Sequence, residues 1–152
     1  MKENSKNIAV YRCVIDDYDL VLNELYKDKF TDYFLFTNNP NLNIYPYKTM
    51  LVDSGSKSAA EMNRLIKIII PEVLKKYEIT IYLDGNIAII GDMNDLIKNF
   101  KRSGADIGLF QHPYHNSLQE DVELCIKNNK CDEQQLRDCL LYTSPSPRDF
   151  EA

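Results

Sequence analysis

The sequence predicts an α/β domain in which a mostly parallel sheet is flanked by helices. Apolar segments of strand length, rich in β-branched residues, alternate along the chain with amphipathic segments of helical length. This alternation is typical of βαβ units, whose strands run parallel. The length of 152 residues suits one domain and is enough to bury a core.

Strands are predicted where apolar residues run with little interruption. The first, from Ile8 to Ile15, reads IAVYRCVI, and ITIYL from Ile79 to Leu83 has the continuous apolar character of a buried parallel strand. The other predicted strands are residues 32–37, a short strand at 47–52, an extended run at 87–90, and residues 107–110. Polar residues that directly follow these strands are therefore expected at an edge of the sheet.

Helix signals lie between the strands. Ser58 and Glu61 have the spacing of a capping box, which predicts a helix as far as about Ile70. Pro71 either kinks this helix or starts a second one that ends near Tyr77. The other predictions are a helix over 93–102 capped by Asp92, a helix over 118–128, and a short helix or turn at 20–26.

Composition narrows the classes of function. The formal net charge of −5 is a poor match for a nucleic-acid backbone, so no nucleic-acid partner is expected. No apolar run approaches the roughly 20 residues that span a bilayer, and the first residues lack a signal-peptide core. The four cysteines form no CxxC pair, which argues against a zinc site or a redox dithiol. We therefore expect a cytoplasmic protein with free thiols and no transmembrane segment.

The last residues differ in character from the rest of the chain. Serine and proline alternate in CLLYTSPSPRD, from Cys139 to Asp149, and proline lacks the N–H that a helix or sheet needs. One interpretation is a flexible C-terminal tail. The other is a translated sequencing adaptor of the transposase type, which the string resembles over eleven consecutive residues. That match favours the adaptor, so we expect an incomplete native domain over 1–138 and a non-native tail at 139–152.

Polar side chains follow three of the predicted strands at their carboxyl ends. They are Asp16 and Asp17 after the first strand, Asp84 after ITIYL, and His112 after residues 107–110. Open α/β sheets bind their ligands outside this edge. A histidine in such a loop can be a metal ligand, a proton carrier or polar surface. These positions are the first candidates for a ligand site.

The tripeptide Asp84-Gly85-Asn86 has two interpretations. Asp84 offers carboxylate oxygens and Asn86 an amide oxygen, which suit a hard cation such as Mg²⁺ or Mn²⁺. Gly85 would let a ligand approach the backbone closely. Such a cation can bridge a diphosphate and neutralise charge on a leaving nucleotide. The alternative is an ordinary turn, in which Asp-Gly is common.

Two cations lie on one face of the helix that Ser58 caps. Arg64 and Lys67 are three residues apart, a spacing that aligns them along a helix. An anion such as pyrophosphate between them would offset their mutual repulsion. The alternative is a solvated face on which Glu61 pairs with Arg64.

The stretch SAAEMNRLIKIIIPEVLKKYEITIYLDGNIAII resembles the donor-binding core of GT-A glycosyltransferases, where a helix carrying an arginine precedes a buried strand that ends in an Asp-x-Asp-type motif. More closely, the chain resembles a glycosyltransferase-like family of plant and bacterial proteins long classed as a domain of unknown function. The matching pieces are IAVYRCVIDDYD, YFLFTNN, NRLIK, IYLDGNIAI and GLFQHPYHNSLQEDVELCI, which span nearly all of residues 8–126.

The resemblance implies a GT-A-like (Rossmann-like) fold and a glycosyltransferase activity. The donor would be a nucleotide sugar, expected to be a UDP-sugar, and the acceptor a glycan in polysaccharide or cell-surface assembly. The implied roles are a Mg²⁺ or Mn²⁺ site at Asp84 and Asn86, diphosphate contacts from Arg64 and Lys67, a nucleoside side lined by Tyr11 and Asp16, and His112 near the reacting centre.

The chain also departs from the family pattern. His115 stands where an arginine usually follows the His-Pro pair, and Asn86 stands where an Asp-x-Asp motif has its second aspartate. One charge is therefore missing from the implied metal site. If native sequence ends near Asp138, we expect the family's later, acceptor-side segment to be lost with the truncation. The alternative function is a non-catalytic domain of the same fold that binds a nucleotide or a glycan.

Overall fold

A computed structural model of the chain describes residues 7–17, 20–110, 117–128, 132–134 and 137–138. Within these ranges four strands form a sheet: β1 (Ile8–Val14), β2 (Thr31–Thr37), β3 (Lys48–Leu51) and β4 (Ile79–Tyr82). Their order is β3-β2-β1-β4, and every neighbouring pair is parallel. The predicted α/β class with a parallel sheet is confirmed, and the four carboxyl ends lie along one edge.

The described helices begin close to their predicted starts. They are α1 (Ala59–Ile68), α2 (Asn94–Ser103) and α3 (Leu118–Lys127). The capping box is confirmed: the Ser58 side chain accepts from the Glu61 backbone N–H, and the Glu61 carboxylate accepts from the Ser58 N–H at 2.8 Å. Pro71 precedes a 3₁₀ turn, Glu72–Leu74, rather than a second α-helix. The segment 20–26 is irregular.

Two predicted strands are wrong. The apolar sequences of residues 87–90 and 107–110 predict extended strands, but neither segment forms one. At 87–90 the backbone bonds instead to an irregular segment, where the carbonyl of Ile89 accepts from the N–H groups of Leu25 and Tyr26. At 107–110 the side chains of Leu109 and Phe110 are 90% and 80% exposed. An apolar run becomes a strand only where a neighbouring strand pairs with it.

The chain forms two compact units, residues 1–102 and 103–152. The first contains the sheet, α1 and most of α2, and the second contains α3. The predicted non-native tail, residues 139–152, lies outside the described residues. None of the described helices is long and apolar enough to cross a membrane. The cytoplasmic location stays a prediction.

Side chains alternate between the two faces of the sheet along each strand. Nearly all residues of β1 and β2 are buried, so both faces are covered. Tyr11 and Cys13 of β1 point to one face, which packs against α1 and the 3₁₀ turn and is called the helix face. Val10 and Val14 point to the other face, called the loop face. It packs against Ile89 and Met93 in the chain that follows β4, and against α2.

Candidate ligand site at the carboxyl edge of the sheet

The strand order reverses between β1 and β4. From β1 the chain builds outward through β2 to β3, and β4 then lies on the other side of β1. Such a reversal opens a crevice at the carboxyl ends, where α/β proteins bind ligands. β1 and β4 stay hydrogen-bonded up to this point, since the N–H of Leu83 donates to the carbonyl of Tyr11 at 3.0 Å. The next residue along the chain is Asp84.

Three of the predicted site residues meet here. The Lys67 ammonium lies 3.3 Å from one carboxylate oxygen of Asp84 and 3.4 Å from the other. The same ammonium lies 4.9 Å from the centre of the Tyr82 ring. The Tyr11 hydroxyl donates to the backbone carbonyl of Lys67 at 3.4 Å. α1, β1 and the end of β4 thus converge on one carboxylate and one ammonium.

The Lys67–Asp84 pair is open to solvent. Its side chains are 49% and 53% exposed. An exposed pair of this kind contributes only about 0–1 kcal/mol to stability, because water screens it and both side chains lose freedom. A ligand that offers each partner a better contact can therefore separate the two at little cost.

Tyr11 lies deeper than its predicted role implied. The residue is only 2% exposed, and its ring packs edge-on against Phe36 and Tyr82. Burial raises the pKa of its hydroxyl above the ordinary tyrosine value. Tyr11 fixes α1 against β1 through this hydroxyl, and contact with a ligand stays a prediction.

Asp84-Gly85-Asn86 forms a turn. The N–H of Ile87 donates to the carbonyl of Asp84 at 3.0 Å, which closes a four-residue turn. Asp84 and Asn86 are exposed, whereas Gly85 is buried. The turn is therefore confirmed, and both proposed oxygen ligands, Asp84 and Asn86, are exposed on it.

The oxygen ligands present suit a cation that is bound partly by a ligand's phosphates better than one bound by protein side chains alone. Among the residues described, no group of three or more His, Cys, Asp or Glu side chains could hold a metal. Asp84 supplies one carboxylate, and Asn86 adds a neutral amide oxygen. Mg²⁺ commonly binds through one or two carboxylates, several waters and substrate phosphates. The residues present suit a cation that arrives with a phosphate ligand.

Asp16 joins the end of β1 to the end of β2. Its N–H donates to the Asn38 side chain at 3.0 Å, and the Asn38 amide donates back to the Asp16 carboxylate at 2.7 Å. Asp16 and Asp17 have φ values of 53° and 50°, a left-handed conformation that aspartate tolerates better than most residues. Asp16 is therefore hydrogen-bonded to the residue that directly follows β2.

An open depression of about 540 Å³ lies at the carboxyl ends of β2 and β3. Its lining residues are Asn38, Pro40, Leu51, Val52, Asp53 and Ser54. The depression is shallow and open to solvent, unlike the enclosed clefts that bury most of a small ligand. Since Asn38 belongs to this lining and also holds Asp16, the depression adjoins the loop that follows β1.

The two remaining predicted site residues are Arg64 and His112. Arg64 is exposed on α1. The pKa of Glu61 is lowered chiefly by the backbone and side-chain hydrogen bonds from Ser58, and Arg64 adds only a small contribution. The capping box, not an Arg64 pair, is therefore the main partner of Glu61. His112 lies outside the described residues.

Sequence reasoning missed Arg12 and Glu24. Arg12 lies within β1, is fully buried, and forms an ion pair with Glu24, whose side chain is 1% exposed. The guanidinium also lies 4.9 Å from the centre of the Tyr47 ring, whose hydroxyl donates to Glu24. Burial and this hydrogen bond raise the pKa of Tyr47. The available signal was a lone charge inside an apolar strand, which requires a buried partner.

Comparison of the chain with known protein families, with curated proteins and with solved structures finds no match.

Proposed function

We propose that this chain is the nucleotide-sugar-binding part of a glycosyltransferase with a GT-A-like fold. The enzyme would transfer a sugar from a nucleotide-sugar donor, expected to be a UDP-sugar, to a glycan acceptor. One observation carries the proposal. Lys67 and Asp84, 17 residues apart and on separate elements, lie 3.3 Å from each other at the edge where parallel sheets bind ligands.

The opposite charges of this pair suit the two parts of a metal-bound diphosphate. Lys67 would turn from Asp84 to a phosphate oxygen, and Arg64, one helical turn earlier on α1, would add a second cation. The Lys67–Asp84 contact is weak because it is exposed, so this exchange of partners costs little. Once Lys67 leaves Asp84 for a phosphate oxygen, Arg64 and Lys67 would together offer two cations to a polyanion.

Asp84, with Asn86 as the weaker partner, would hold the divalent cation. When bound, Mg²⁺ or Mn²⁺ supplies charge neutralisation for the departing diphosphate. The nucleoside would extend along the carboxyl edge towards Asp16. The depression next to Asn38 supports this direction, because it provides room beside the Asp16 loop. The role of His112, which lies outside the described residues, stays a prediction from the resemblance.

Calorimetric titration of UDP with and without Mn²⁺ tests the proposal. The wild-type chain should bind UDP more tightly with Mn²⁺, and Asp84→Asn should lose that difference. Lys67→Ala should weaken binding by about 1.5–3 kcal/mol, the contribution of a hydrogen bond to a charged group. Hydrolysis of a UDP-sugar then separates an enzyme from a binding domain that does not turn over its ligand.

The matched control is Asp95→Asn. Asp95 also pairs with a lysine, Lys98, at 3.6 Å, and the pair is exposed on α2. This variant should bind UDP and Mn²⁺ as the wild type does. Asp84 is only a turn residue if Asp84→Asn remains folded and binds UDP and Mn²⁺ as Asp95→Asn does.

A further inference from the structure

Arg12 is the one charged residue in an otherwise apolar strand. Its neighbours along IAVYRCVI are apolar or aromatic, and the residue is fully buried. Burying a charge costs free energy that apolar packing avoids, even when an ion pair compensates it. A side chain of similar volume without charge would satisfy packing. The contacts of the guanidinium should therefore explain its presence.

Those contacts converge on the turn that carries Asp84. One terminal nitrogen of Arg12 donates to the carbonyls of Leu22 at 2.8 Å and Gly85 at 3.4 Å. The other donates to Glu24 and to the carbonyl of Ile87. Two of the three backbone carbonyls that Arg12 binds thus belong to the chain directly after Asp84.

Glu24 continues the same network. Its carboxylate accepts from the N–H of Ile89 and from the Tyr47 hydroxyl, in addition to Arg12. Residues 83–90 form neither helix nor strand, so their backbone groups depend on partners elsewhere. Arg12 and Glu24 together bind the backbone of three of those residues, namely Gly85, Ile87 and Ile89.

Asp84 is consequently held from both sides by consecutive residues of β1. Before it, the N–H of Leu83 donates to the carbonyl of Tyr11 at 3.0 Å. After it, the carbonyl of Gly85 accepts from the Arg12 side chain. The residues on either side of Asp84, Leu83 and Gly85, are thus both hydrogen-bonded to β1.

We infer that Arg12 is a positioning residue, whose buried pair with Glu24 fixes the Asp84–Ile87 turn and sets where the Asp84 carboxylate stands at the ligand site. The ligand part of this inference rests on the proposed function, and the part concerning the turn does not. An arginine is required because its planar fork donates to several acceptors at once. A lysine offers one compact ammonium and cannot reach Glu24 and both turn carbonyls together.

The experiment combines hydrogen exchange with titration on the full chain. In Arg12→Lys, the amides of Ile87 and Ile89 should exchange at least tenfold faster relative to the β2 amides. The Mn²⁺-dependent gain in UDP affinity should fall by roughly 10–100-fold, as when the groups that orient a metal ligand are removed. Glu24→Gln keeps the side-chain volume and serves as the second variant where Arg12→Lys does not fold.

Leu74→Ala is the control, since Leu74 is fully buried on the helix face. It lowers global stability without touching the turn, so the ratio of UDP affinities with and without Mn²⁺ should stay unchanged. Equal exchange at Ile87 and Ile89 in wild type and Arg12→Lys overturns the inference. If the wild type fails to bind UDP, the proposed function is contradicted, and the exchange data still decide whether Arg12 holds the turn.

Discussion

The two faces of the sheet are closed by different means. The helix face is covered by α1 and the 3₁₀ turn, whose side chains Met62, Ile66 and Leu74 pack against β1 and β2. The loop face is closed in large part by irregular chain, which bonds to the buried pair of Arg12 and Glu24. Apolar packing adapts to small changes, whereas a polar network fails when one member is lost.

The candidate site combines both types of support. Lys67 comes from α1 on the helix face, and Asp84 comes from the turn that Arg12 holds on the loop face. The position of Lys67 therefore depends on apolar packing, and the position of Asp84 depends on hydrogen bonds. Variants of the two faces should separate these contributions.

The largest loss of stability is expected from Glu24→Leu. It leaves the Arg12 guanidinium buried without its counter-charge, which should cost about 3–5 kcal/mol. Combining it with Arg12→Met should recover a large part of that loss, because no unpaired charge remains. Urea denaturation of the two variants measures the difference. A double variant that is no more stable than Glu24→Leu would show that the charge is not the cause.

Leu74→Ala should come next, with a loss of roughly 2–5 kcal/mol from the cavity it leaves on the helix face. Leu74 is fully buried beneath α1 and the strands. Urea denaturation measures the loss of stability, and a loss below about 1 kcal/mol contradicts tight packing on this face.

Ser58→Ala tests the local support of the helix that carries Arg64 and Lys67. Losing the N-cap should cost about 0.5–2 kcal/mol. The Glu61 carboxylate also contributes, because its pKa is lowered by the hydrogen bonds from Ser58. A lowered pKa gives stability above the unfolded pKa that is lost as the pH falls through the folded one. Thermal melts at neutral and acidic pH should therefore differ less in Ser58→Ala than in the wild type.

The smallest expected effect is a change in how stability depends on pH above about 10 in Tyr47→Phe. The pKa of Tyr47 is raised by burial first and by the hydrogen bond to Glu24 second. A raised pKa contributes stability that is full below the unfolded value, about 10, and is lost at higher pH. Tyr47→Phe should make the loss of stability above pH 10 less steep. An unchanged alkaline slope places Tyr47 outside the buried network.

Local signals gave the parts of the fold that could be predicted. The apolar runs of β1 and β4 and the Ser58–Glu61 capping box depend on neighbours in sequence, so they were visible before the structure. Residues 107–110 have the same apolar character, yet form no strand, because pairing depends on distant chain. Pattern alone does not show whether a partner strand is present.

The candidate site divides in the same way. Asp84 was found because ligand sites follow the carboxyl ends of parallel strands. The direct contact of its carboxylate with Lys67 depends on how α1 packs, which spacing does not show. The Arg12–Glu24 pair joins residues 12 positions apart through an irregular segment, and no periodic pattern marks Glu24 among the other acids of the chain.

The most direct test of the carboxyl-edge site is an NMR titration of the ¹⁵N-labelled chain with UDP and Mg²⁺, which is diamagnetic. We expect amide shift changes in the Asp16 loop, at Arg64 and Lys67, and through residues 82–86. Apart from the residues that line the adjoining depression, such as Asn38 and Asp53, changes elsewhere should be small. No shift at a saturating concentration, or shifts centred away from residues 82–86, would contradict a nucleotide diphosphate site at this edge.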